Sequence, residues 1–298
     1  MARTEQIRDR ETTAARLLTS SARSSFDPDL DVDWDAPLVE GKPFMPLERT
    51  SLYGTELWQR LSDEQRIELS KHEIASIMSV GLWFEICLMQ ALTRYAYDRD
   101  PRSAHAQYAL TEIGDETRHS VMFARAVEKL GVPRYGPSRA IHNLARLFNT
   151  TAAGPSMFGS VLVAEETLDR LQRSMMDDEN IQPLIRAINR IHVVEEARHV
   201  RYAKEAISRT MPKLGPAARH WHRFQTALVS YFVVDSLIDP NVYAAVGIDP
   251  QEGRRAALAN PHYQDTRRWM GEKIMPFLRE EGLVGGAGMP LWRRAHLV

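Results

Sequence analysis

The chain has almost no cysteine. Cys87 stands alone among 298 residues, so no disulfide can form within the chain, and this usage fits a reducing compartment, the cytoplasm. Neither sign of charge is in excess: 38 lysines and arginines meet 39 aspartates and glutamates. That balance offers no basic field to nucleic acid or to an anionic membrane. The opening residues, MARTEQIRDRETTAARLL, lack the apolar centre of a secretory signal. One run, IASIMSVGLWFEICLMQAL at 74–92, is long enough to be weighed as a membrane span. Glu85 and Gln90 interrupt it and charges flank it closely, which reads as a buried bundle helix and no membrane. No segment shows the alternation and turn spacing of a sheet. No Gly-x-Gly-x-x-Gly follows a strand and no Walker loop is present, so nicotinamide or ATP binding by those devices is not expected.

What the sequence has in quantity is helix signal. Residues 1–50 read as a charged N-terminal arm, and 51–298 as a single helical domain. Within the arm, aspartates from Asp29 onward fall at three positions of a calcium loop, with Glu40 at its end. Trp34 stands where that loop needs glycine, so the stretch reads as a solvated acidic arm. Ser62 and Gln65 form a capping box that opens a helix running to Arg99. Further helices are expected over about Arg102–Leu130, Pro155 to the polar DDEN, Gln182–Thr210, Pro216–Ile238 and Tyr263–Glu281. Gly131 closes the second of these.

Two of these helices share a pattern. DETRH at 115–119 and EEARH at 195–199 each carry Glu-x-x-His: Glu116 with His119, and Glu196 with His199. A carboxylate and an imidazole at that spacing project from one helix face. A carboxylate-bridged di-metal site in a four-helix bundle needs two such pairs, plus one glutamate from each of the other two helices. Glu85 meets the first requirement: its same-face neighbours Met78, Gly81, Leu82, Leu88, Met89 and Leu92 are apolar or glycine. An unpartnered carboxylate there would cost on the order of several kcal/mol, which a metal ion can offset. For the second, the apolar phase of Phe158, Val161, Leu162, Leu168 and Met175 puts Glu165 near the middle of the inward face and Glu166 at its edge. Glu165 is therefore the expected ligand and Glu166 the alternate. His192, one turn before Glu196, points the same way and is either a seventh ligand or a histidine hydrogen-bonded to the site. Glu112 occupies the corresponding place on the other helix, as an extra oxygen ligand or a hydrogen-bonding partner. Asp115 and Glu195 are placed to reach the histidine of the opposite helix, with Arg118 and Arg198 balancing their charge. Carboxylates with a few imidazoles suit iron or manganese. Storage ferroxidases, desaturases and radical-generating subunits use related donors; a radical role would need a tyrosine beside the metals, for which Tyr108 and Tyr202 are candidates, although Tyr108 is more simply a core residue.

In these features the chain resembles the non-haem di-iron N-oxygenases typified by para-aminobenzoate N-oxygenase, within the ferritin-like superfamily. The resemblance spans roughly residues 50–240 and includes LWQRLSDEQRIELSKHEIASIMSVGLWFE, DETRH, AEETLD and HVVEEARH. It implies an all-α, ferritin-like four-helix bundle with a di-metal carboxylate site and additional helices. It also implies iron ligands at Glu85, Glu116, His119, Glu165, His192, Glu196 and His199, so His192 becomes the seventh. The implied chemistry is O₂ activation by two irons and oxidation of an arylamine nitrogen through hydroxylamine toward nitroso or nitro. A di-iron hydroxylase or desaturase on another substrate, or a ferroxidase, is the alternative. No substrate-binding residue is matched. With no flavin or nicotinamide motif in view, an external electron donor is expected; a homodimer is compatible with the sequence.

Overall fold

The computed structural model describes residues 9–298. Helix makes up 75 % of the chain and no strand occurs among the described residues, giving an all-α, ferritin-like fold. The helices are α1 Arg10–Arg23, α2 Pro28–Asp31, α3 Glu56–Gln59, α4 Asp63–Tyr97, α5 Ala104–Leu130, α6 Arg139–Thr151 and α7 Gly154–Met176. They continue with α8 Pro183–Thr210, α9 Pro216–Ser236, α10 Pro250–Ala259, α11 Pro261–Gly271, α12 Met275–Glu280 and α13 Met289–Arg294.

Four of these make the bundle. The short links 98–103 and 177–182 fold α4 against α5 and α7 against α8, and the long crossover 131–153, which contains α6, joins the two pairs. Local chemistry sets the ends. Ser62 Oγ accepts from Gln65 N–H at 3.2 Å while Gln65 Oε1 accepts from Ser62 N–H at 3.0 Å, so the expected capping box opens α4. Gly131 ends α5 in the left-handed conformation, at φ 64°. By length and composition α4 could cross a membrane, but 56 % of its most apolar window is buried inside the protein.

The bundle interior has three layers along its axis. One apolar layer holds Ile74, Ile77, Met78 and Val80 of α4 with Met122, Phe123, Leu171 and Ile188. The other holds Leu88, Leu92, Tyr108, Leu162 and Tyr202. Between them, at the middle of all four helices, lies a layer of buried acids and histidines.

Two expectations change. The segment 10–50 is not a solvated arm. α1 packs on α5 and α8, and Ala14, Val32, Phe44 and Met45 are buried, although Asp27, Asp29 and Asp31 stay exposed. The few apolar residues are spaced to dock, and the surrounding charges mask them in composition. The last helix, expected over Tyr263–Glu281, is instead α11 and α12, because Pro276 opens a new helix after the turn at 272–274.

Candidate metal centre

The middle layer gathers Glu85 from α4, Glu112, Glu116 and His119 from α5, Glu165 from α7, and His192, Glu196 and His199 from α8. None is more than 4 % exposed. In four overlapping groups of three, one donor atom per residue lies within 4.8 Å of the others; Glu116 and Glu196 each belong to two groups. These two acids are central. Glu116 lies 3.0 Å from His119 Nδ1 and 2.8 Å from His199 Nδ1, and Glu196 lies 3.3 Å and 3.1 Å from the same two nitrogens. His192 turns Nε2 toward Glu85, at 3.3 Å, and toward Glu196, at 3.7 Å.

The outward nitrogens are held across the bundle. His119 Nε2–H donates to Glu195 at 2.8 Å and His199 Nε2–H to Asp115 at 3.2 Å, each acid reaching from the opposite helix. Each outward nitrogen thus keeps its proton, so that loss of the Nδ1 proton turns that lone pair toward the central acids. Arg198 lies 3.3 Å from Asp115 and 3.4 Å from Glu195, while Arg118 pairs closely with Asp115. The N-terminal segment closes the network. Phe26 N–H donates to Glu195 Oε1 at 3.0 Å, and Arg198 donates to the Ser24 carbonyl at 2.9 Å.

Helical phase separates Glu165 from Glu166. Glu165 joins a group with His192 and Glu196. Glu166, also buried, points away and pairs with Lys204 at 2.5 Å and Lys273 at 3.3 Å. Lys273 comes from the turn before α12, a partner that the local pattern around α7 does not reveal.

The electrostatics show what the layer lacks. Burial, reinforced by Glu116, Glu165 and Glu196, pushes Glu85 well above the usual carboxylate range; burial with Glu196 and Glu116 does the same to Glu165. Burial pushes Glu112 up to about 8. Burial opposes charge on His119 and His199, but the surrounding acids outweigh it and hold both well above the ordinary imidazole range. Burial pulls His192 down to about 4, leaving it a neutral donor. One oxygen each of Glu85, Glu112, Glu165 and Glu196 is buried without a hydrogen-bond partner among the described residues. Five glutamates packed with three imidazoles, with carboxylate oxygens buried and left unsatisfied, fit a pair of oxygen-loving cations.

Two features lie beyond the sequence reading, Gln172 and a cavity, and one of its tyrosine candidates, Tyr108, is placed. Gln172 Oε1 accepts from His192 Nδ1–H at 2.9 Å and so orients that ring; its place two turns after Glu165 on the same face was the available signal. Tyr108 is buried with its hydroxyl unpartnered among the described residues, its ring 4.8 Å from that of Tyr202. A cavity of about 360 Å³, bounded by α4, α6, α7 and α9, is lined by Glu165 itself. Its walls come from four separate segments, which no local pattern assembles.

A family profile described as P-aminobenzoate N-oxygenase AurF matches residues 7–282. The match takes in the N-terminal segment and much of the C-terminal region, beyond the 50–240 of the motif resemblance. Uncharacterized proteins of Mycobacterium bovis and of two Mycobacterium tuberculosis strains are each 30 % identical over 292 residues, covering 94 % of this chain and 85 % of theirs.

Proposed function

The chain belongs to the P-aminobenzoate N-oxygenase family, and from that premise we propose that it is a di-iron oxygenase that uses O₂ to oxidise the nitrogen of an amine, an aromatic amine in the first instance. The observation that carries this reading is the buried layer of glutamates and histidines whose unsatisfied oxygens converge. Glu85, Glu116, His119, Glu165, His192, Glu196 and His199 would hold two irons, with Glu112 beside them. Iron bound there supplies the redox chemistry that activates O₂.

The chain's own residues do the rest. Glu116 and Glu196, each within reach of both Nδ1 atoms, are the donors the two ions would share. Asp115 and Glu195 keep the protons on the outward nitrogens and make both imidazoles better donors. Gln172 does the same for His192. The apolar layers above and below keep water from the site. Glu165 is the one acid lining the cavity, placed to accept a hydrogen bond from a substrate N–H and to take up a proton there. Storage needs no such cavity against a ligand, which favours an oxygenase over a ferroxidase. Electrons come from an external donor.

The test is purification, metal analysis and exposure of the reduced protein to O₂ with a panel of anilines, followed by mass spectrometry. Hydroxylamine, nitroso or nitro products are expected. An iron-replete protein that consumes O₂ but oxidises no amine nitrogen contradicts the proposal.

A further inference from the structure

The cavity that reaches Glu165 is apolar almost throughout. Trp83, Ile141, Leu144, Phe224, Leu228 and Phe232 form much of its wall. Among the described residues, no arginine, lysine or histidine lines it, and Glu165 is its one acid. Most of its hydroxyl and amide groups are already engaged within the protein, and those that are not carry no charge. Asn149 donates to Gln90 at 3.0 Å and Thr151 to the Leu147 carbonyl at 2.8 Å. Ser160 donates to the Ser156 carbonyl at 2.7 Å, and Gln225 accepts from Ser156 at 2.9 Å, which leaves its amide NH₂ as a neutral donor at the wall. The nearby cation, Arg94, is bound to the carbonyls of Asn149 and Ala152 and faces a separate basic cleft, which meets the cavity at Ala91 and Met157.

Resting on the amine-oxidation reading above, we propose that this cavity is the substrate site and that it selects an uncharged, largely apolar amine larger than one ring, excluding carboxylates. A benzoate entering it would bury its charge with no cation to meet it. The amine end alone has a matching partner, the Glu165 carboxylate. Size agrees: about 360 Å³ is more than twice the roughly 150 Å³ that holds a benzene molecule, leaving room for a ring with a chain of several carbons. P-aminobenzoate, the substrate in the family's name, carries the group this wall is least able to receive.

The experiment is an anaerobic titration of the iron-loaded protein, followed by the fluorescence of Trp83 and Trp221 at the cavity wall. The ligands are para-aminobenzoate, its ethyl ester and para-hexylaniline. The ester and the alkylaniline should bind on the order of 100-fold tighter than the acid. Leu228→Arg should narrow that gap by roughly 10-fold or more by giving the carboxylate a partner. Leu144→Arg, at the half-exposed mouth on α6, provides the same reversal should the deeper substitution impair folding. Equal or tighter binding of the acid to the unsubstituted protein, or no binding of the two neutral ligands, overturns the proposal. So does an unchanged preference in both folded variants. Failure of the oxygenase reading shows separately, as a protein with this binding preference that never oxidises the bound amine.

Discussion

The two sides of the buried polar layer are built differently. On the α5 and α8 side, His119 and His199 are each held by an acid from the opposite helix, the acids by two arginines, and one acid and one arginine by the backbone of the N-terminal segment. On the α4 and α7 side, no arginine or lysine pairs with Glu85 or Glu165 among the described residues, and Glu165 borders an apolar cavity. The first side is organised to hold cations in place. The second has carboxylates free to shift beside a space that admits a ligand. Under the proposed function, affinity and reactivity would be divided between helix pairs, and substitutions on the two sides should have different signatures.

The largest effect is expected at the centre of the holding side. Glu116→Ala or Glu196→Ala should lose most of the iron, because each serves both histidine nitrogens. Next come the outer acids: Asp115→Asn or Glu195→Gln should weaken iron binding by about 10- to 100-fold, read by competition with a chelator. If they leave affinity untouched, the division between the two sides fails. Glu165→Ala, on the reactive side, should abolish amine oxidation while retaining much of the iron. Its neighbour supplies the control. Glu166→Ala should keep both iron and turnover and lose about 1–3 kcal/mol of stability in denaturant unfolding, by stripping Lys204 and Lys273 of their buried partner. The reverse result would mean that the helical phase of α7 is misassigned by one residue. His192→Ala should be mildest in iron content and more marked in the rate at which the reduced protein consumes O₂, measured by stopped flow.

Acidity sharpens the same contrast. Glu85, Glu165, His119 and His199 are all shifted upward in the metal-free layer, so they retain protons to higher pH than in the unfolded chain. Metal must displace those protons, so iron affinity should rise with pH and fall as acid restores them. Chelator competition at pH 6 and pH 8 should show tighter binding at the higher pH, with proton release on loading.

Much of this was legible in the sequence because a bundle helix writes its inward face at regular spacing. The two Glu-x-x-His pairs, the lone Glu85 in an apolar run and the phase of Glu165 suffice to place the polar layer. The cross-bundle reach of Asp115 and Glu195 follows from their positions beside those pairs. What was hidden depends on segments distant in the chain. The lysines over Glu166 come from α8 and from the turn before α12, the cavity wall from four helices, and the clamp on Glu195 from a segment whose charges disguise its docking residues. α6 was missed for another reason: none of its residues is buried, so its amphipathic pattern marks a cavity wall and not a core.

The most direct test of the central claim is iron per chain in matched preparations of the unsubstituted protein and Glu196→Ala. The account predicts about two irons per chain in the first and a loss of most of that metal in the second, with the helical fold retained by circular dichroism. An unsubstituted protein that takes up no iron, or a Glu196→Ala variant with full occupancy, would contradict it.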